Sequence, residues 1–170
     1  MYFLLIQPTD TGQLSSTNIM AGAAHTPASI LAAFYKAETE YTASSPEQRD
    51  FTNTGRYLSP TFRSIHSDEL PWGGVWEGHD GFKRWMEQMF GRFRVLEILD
   101  PEIFQSQSPA SNRVVVLSTI RLIASNDDTE WIGPLSQSVE VSLTEGLIEE
   151  IRVFWGNTGS LNKLLGHAPL

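Results

Sequence analysis

The order of periodicities along the 170-residue chain predicts an α+β domain, with helices first and a meander of strands after them. Three observations carry that prediction. Apolar residues recur at helical spacing over 26–43 and 81–93. Four extended segments separated by short turn signals then fill residues 94–155. The bulk composition, 41% hydrophobic and 19% charged, suits one domain with a buried core.

Residues 1–25 are rich in Gly, Ser, Thr and Ala without a sustained period and read as a flexible N-terminal arm, so the domain proper is expected over 26–170. Thr26-Pro27 opens the first helix, a hydroxyl N-cap followed by proline at the first helical position. The helix runs to about Ala43. Ile30, Leu31, Phe34, Glu38 and Tyr41 share one stripe, while Lys36, Thr39 and Glu40 face away. Ser44-Ser45-Pro46 stops it, and a second short helix is expected around 47–58, ending before Pro60. Thr61–Ser67 reads as a strand and Leu70–Gly78 as a Trp- and Gly-rich loop. Gly81–Phe93 is amphipathic, with Phe82, Trp85, Met86, Met89 and Phe90 on one face. The strands are Arg94–Phe104 (bent at Pro101), Arg113–Ala124, Ser136–Thr144 and Leu147–Trp155, with a tight hairpin at Glu145-Gly146. A short helix over 159–165 closes the chain.

An antiparallel sheet buries one face, and only these helices are available to cover it. Strand Arg113–Ala124 is apolar on both faces, Val114, Val116 and Ile120 against Val115, Leu117 and Ile123. Its outer face therefore needs cover as well, and a homodimer packed through the sheet supplies it.

Net charge is −8, with no Lys/Arg cluster, so nucleic acid is not an expected partner. There is no cysteine, which excludes disulfides, thiolate nucleophiles and Cys-ligated metals. The histidines at 25, 66, 79 and 167 are scattered without ligand spacing, so no metal or other cofactor is expected. The apolar start, residues 1–6, is too short for a signal core or a membrane span, which makes the cytoplasm the default location and a membrane partner unexpected.

The segment Leu70-Pro-Trp-Gly-Gly-Val-Trp-Glu-Gly-His-Asp-Gly-Phe82 resembles the "LP-aromatic-GG…G-x-x-G" stretch of SnoaL-like proteins in the nuclear-transport-factor-2-like superfamily. The hairpin Thr144–Trp155 resembles their closing strand, and the resemblance spans about 28–166. It implies a cone-shaped, curved antiparallel sheet with helices on the concave face enclosing a pocket. The same fold hosts isomerases, cyclases, dehydratases, epoxide hydrolases and non-catalytic binders. Ser59–His66 is similar to the first-strand segment of scytalone dehydratase, which implies a pocket position for His66, and Tyr41 matches a second pocket tyrosine. The later-strand histidines of that dehydratase have no counterpart here. Val153 stands where limonene epoxide hydrolase carries an essential aspartate, and Gly156-Asn157 stands where many SnoaL-like proteins end the strand with one.

His66, at the inner end of a short strand, is placed to shuttle protons near neutral pH, or else lies in solvent beside Ser67-Asp68-Glu69. Glu38 interrupts an apolar stripe, so desolvation would tune it for acid–base work; paired with Arg56 or Arg63 it would be structural. Tyr41 either orients a carbonyl or hydroxyl or belongs to the core beside Phe34. Trp72 and Trp76 flank two glycines, as a mobile aromatic lid would, although Trp76 equally suits a core plug. Arg121, together with Thr119, points into the pocket in one alignment and to the dimer side in the other. Trp155 and Asn157 end the last strand at the pocket end, with Asn157 an amide donor. The expected activity is cofactor-independent proton transfer (isomerisation, cyclisation or elimination) on an apolar polyketide- or terpenoid-like molecule, with His66 as base and Glu38 or Tyr41 as acid. A binding or scaffold protein of the same fold is the alternative, and a protein-interaction module is a third reading.

Overall fold

A computed structural model describes residues 26–108 and 110–166; the expected arm 1–25 lies outside the described residues. Helix α1 spans Pro27–Ala43 and starts on a reciprocal cap. The Ser29 amide donates to Thr26 Oγ1 (3.1 Å), and the Thr26 amide donates to Ser29 Oγ (3.0 Å). Its buried stripe is Pro27, Ile30, Leu31, Phe34 and Ala37. Then come a 3₁₀ turn, Pro46–Gln48, and a single helical turn α2, Thr52–Gly55, where a longer helix was expected. Strand β1 begins at Leu58, three residues earlier than expected. Pro60 is tolerated because the β1 register slips between Leu58 and Arg63, so its missing N–H falls in an irregular stretch.

The loop expected over 70–78 contains strand β2, Gly74–Glu77, paired antiparallel with β1. Helix α3, Gly78–Arg92, buries Phe82, Trp85, Met86 and Met89. Strands β3 (Phe93–Gln105), β4 (Arg113–Ala124), β5 (Glu130–Ser142) and β6 (Leu147–Trp155) form the antiparallel meander, and α4, Thr158–Leu164, follows. Strand β5 starts six residues earlier than expected, with Pro134 inside it. The Pro134 carbonyl accepts from the Gly156 amide just past the end of β6, so its nitrogen points to the same side, where no ladder partner remains.

The sheet order is β2-β1-β6-β5-β4-β3. The four strands β3–β6 pair antiparallel as expected, and β1 joins β6 in parallel at their edge. The sheet is curved and unclosed. A bulge between Leu99 and Glu102, with Asp100 at φ 47°, bends β3 where Pro101 marked the bend. Helix α1 lies over β3, β4 and β6, whereas α3 lies over β1 and β2 and reaches β3. The inward residues of β4, Val114, Val116, Ile120 and Leu122, are buried, and the outward Val115 and Leu117 are exposed. No helix among the described residues is long and apolar enough to cross a membrane.

Candidate functional site on the concave face

Sheet register defines one row of inward side chains. His66 of β1 follows Ile65, which pairs with Arg152, and so lies beside Val153 of β6; Val153 pairs with Gln137 of β5, and Gln137 with Val116 of β4. Polar groups thus stand at two points of this row, separated by Val153. With strands about 4.8 Å apart, the two points are about 10 Å apart.

At the first point both ring nitrogens of His66 are engaged, whereas the indole nitrogens of Trp85 and Trp72 are buried without a partner among the described residues. His66 is 4% exposed and stacks on Trp85 with ring centroids 4.8 Å apart and 19° between planes. Trp155 Nε1 donates to His66 Nδ1 at 3.1 Å, and an indole nitrogen only donates, so Nδ1 carries no proton. The neutral ring's proton is therefore on Nε2, which donates to Ser64 Oγ at 2.9 Å. Burial pushes the imidazole down to about 3. A proton-accepting lone pair is not left open, and the neighbour of His66 is α3, not Glu38. This geometry argues against the expected role of His66 as the base.

At the second point no side-chain atom of Tyr35, Glu38 or Gln137 is among the fully shielded atoms left without a partner. Tyr35 and Glu38, one turn apart on α1, face the middle of the sheet. The Tyr35 hydroxyl donates to Gln137 Oε1. Glu38 makes no hydrogen bond or ion pair among the described residues, and burial alone pushes its carboxyl up to about 7. The same burial, with the Glu38 charge second, raises the Tyr35 phenol. The sheet neighbours of Gln137 are Val116, Val153, Leu135 and Val139, none of which has a side-chain acceptor. Gln137 (8%) and Val153 (7%) keep slight accessible surface, whereas Val116, Val139 and Ile148 keep none.

The other expected site residues distribute as follows. Phe34 is core, packed against Phe82. Trp72 is fully buried, edge-on to Trp155 (5.3 Å) and Phe93 (5.6 Å), so it is no lid. Its loop is tight: the Gly73 amide donates to Leu70 O, and a Cβ on Gly73 would sit 2.2 Å from the Ser67 carbonyl oxygen. Trp76 is half-buried and donates its indole N–H to Trp72 O at 3.0 Å. Tyr41 lies at the other end of α1, edge-on to Phe51, on a separate surface hollow of about 300 Å³ beside Glu40 and Asp50. Arg121 and Thr119 alternate with buried Ile120 and take the outer face, where Arg121 bonds Glu130 (2.5 Å) and Glu97 (3.3 Å). Asn157 is exposed in the left-handed turn before α4, at φ 55°, too far round the turn to donate into the interior. Val153 and Trp155 do lie on the concave face.

Sequence reasoning passed over Tyr35 and Gln137. Tyr35 precedes Glu38 by one turn, and Gln137 is the polar intruder in the inward series Trp131, Gly133, Leu135, Gln137, Val139, Val141. Among the described residues no group of three His, Asp or Glu converges as metal ligands would.

Comparison of the sequence with protein families and with curated proteins finds no match. Solved structures do match. An NTF2-like protein of unknown function from Burkholderia pseudomallei K96243 is 20% identical, with a TM-score of 0.66 over 81% of this chain and 95% of its own. TerC co-crystallised with polyporic acid is 17% identical, with a TM-score of 0.66 over 82% and 98%. A protein of Pseudomonas putida KT2440 provisionally named a polyketide cyclase is 17% identical, with a TM-score of 0.59 over 78% and 92%. Together with the sheet order and the helices on its concave face, these likenesses establish that the chain has the NTF2-like fold.

Proposed function

We propose that the chain is a cofactor-independent enzyme that binds an apolar organic molecule between α1 and the concave face and moves a proton on it. The observation that carries this reading is Glu38: a carboxyl with no hydrogen bond or ion pair among the described residues, held near neutrality by burial, one turn along α1 from the Tyr35 that bonds Gln137 on the sheet. Its carboxylate takes a proton from a carbon beside a carbonyl; the C–H electron pair becomes the C=C bond of an enolate and the carbonyl π pair moves to its oxygen. Returning the proton to a different carbon isomerises the molecule. Attack of the enolate on a second carbonyl closes a ring, and expulsion of a leaving group is an elimination. Solved proteins of this fold named as polyketide cyclases, and one crystallised with polyporic acid, support a small-molecule ligand of polyketide-like character. A second copy of the chain against the outer face completes the reading.

The test is deuterium uptake at the α-carbon of α-tetralone in D₂O, followed by NMR. We expect protein-dependent exchange that rises with pH through a midpoint near 7, because the ionised carboxylate is the base. Glu38→Gln should lose roughly 10²-fold or more. Bound ketone without exchange above the solvent rate would instead support a non-catalytic binder. The engaged nitrogens of His66 and the apolar Val153 favour that second reading.

A further inference from the structure

We infer that Gln137 is the residue that reads the ligand, donating its side-chain amide to an acceptor oxygen, and that Tyr35 is the positioning residue that turns this amide toward the ligand. This rests on the proposed site between α1 and the sheet, but not on proton transfer occurring there. The Tyr35 hydroxyl donates to Gln137 Oε1. An amide fixed through its oxygen has its NH₂ turned away from that partner. The NH₂ then faces Val116, Val153, Leu135 or Val139 on the sheet, and none of these side chains accepts a hydrogen bond. Gln137 bonds to nothing else among the described residues, although it is 8% exposed on an otherwise apolar surface. The amide nitrogen is not among the fully shielded unpaired atoms, and it has no hydrogen-bond partner among the described residues, so it is free to donate to a ligand. The complementary ligand therefore has an apolar body with a carbonyl or ionised hydroxyl oxygen set over Val153. An apolar ring system without such an oxygen leaves the donor unpaired and binds less well.

Two probes of nearly the same shape separate these contributions, α-tetralone and its hydrocarbon counterpart tetralin. Affinities are measured by calorimetry, and the carbonyl stretch of bound α-tetralone by difference infrared spectroscopy. The wild-type chain is expected to prefer the ketone by about five- to tenfold, the value of one ordinary hydrogen bond, and to lower its carbonyl frequency. Gln137→Leu, an apolar side chain among apolar neighbours, should keep the fold, bring the two affinities within about twofold, and return the stretch to its value in hydrocarbon solvent. Tyr35→Phe should weaken the preference and broaden the stretch while leaving tetralin affinity unchanged, an effect that lost packing alone would not give. Glu38→Gln should abolish exchange but retain the ketone preference. If wild type shows the preference and Gln137→Leu abolishes it while no exchange is seen, the inference stands and the proton-transfer reading falls. Ketone preference or a lowered carbonyl frequency surviving in Gln137→Leu overturns the inference, and so does failure of wild type to bind either probe.

Discussion

Glu38→Gln should make the protein more stable at neutral and alkaline pH, and the size of the gain follows from the carboxyl's position. Burial pushes this group from 4.5 to about 7, so the folded state binds its proton more tightly than the unfolded state does. The sign follows directly. Between pH 4.5 and about 7 the folded chain holds the extra proton, so stability falls as pH rises through that window. Above it the folded chain carries an ionised carboxylate in a poorly solvated place. Full shielding would make the penalty roughly 3 kcal/mol. The side chain is only partly buried, and solvent at its edge reduces this to about 1–2 kcal/mol. Glutamine keeps the shape and has no charge to desolvate. Near pH 8 the variant should melt about 2–8 °C higher than wild type, and near pH 4 the two should coincide. Thermal unfolding followed by circular dichroism across that range reads the difference. A difference that does not change with pH, or a variant less stable than wild type near pH 8, would refute a desolvated Glu38.

His66→Ala should lower stability by about 3 kcal/mol or more, through lost bonds to Ser64 and Trp155 and lost stacking on Trp85, yet exchange per folded molecule should stay within about tenfold of wild type; a fall of 10² or more would restore His66 as the base. Gly73→Ala should be severely destabilising because its Cβ meets the Ser67 backbone oxygen at 2.2 Å, and a melting temperature near wild type would count against the turn described. On the outer face, Phe104, Val115, Leu117 and Phe154 are exposed around neighbouring register positions, and we expect them to pack against a second copy. Sedimentation should show a dimer at micromolar concentration that Leu117→Asp dissociates; a monomeric wild type would overturn this.

Periodicity made most of the fold legible, and side-chain partnership was what it left hidden. The stripe on α1 and the alternation in β4 are local patterns, and both emerge with the expected faces buried. Prolines misplaced the ends of β1 and β5. Pro60 falls in a register slip and Pro134 turns its nitrogen to the side where β6 has ended, and neither circumstance shows in one segment read alone. The resemblance over Leu70–Phe82 carried the fold, but the aromatic-glycine loop it marked is a tight, buried turn with a short strand. The face taken by Arg121 could not be settled from a strand apolar on both sides; Glu97 and Glu130 settle it from neighbouring strands. His66 was recognisable as a polar residue at an inward position. That α3 rather than α1 would cover it depends on β1 joining the sheet beside β6, a pairing of distant segments.

The two polar points on the concave face differ in one physical respect, and that difference assigns their roles. The His66 imidazole is engaged on both nitrogens: Trp155 donates to Nδ1, Ser64 accepts from Nε2, and Trp85, whose own indole nitrogen has no partner among the described residues, covers the ring. A ring held in this way specifies packing and has no nitrogen left to offer a ligand. Around Gln137, among the described residues, the amide nitrogen has no acceptor and the Glu38 carboxylate no donor. Glutamine at 38 would relieve the cost of ionising a poorly solvated carboxylate, so folding alone does not account for a glutamate there. What satisfies both the amide and the carboxylate is a third party carrying an acceptor oxygen and, next to it, an acidic C–H. A ligand is therefore expected at Glu38 and Gln137, whereas both ring nitrogens of His66, the more conspicuous residue in the sequence, are already engaged.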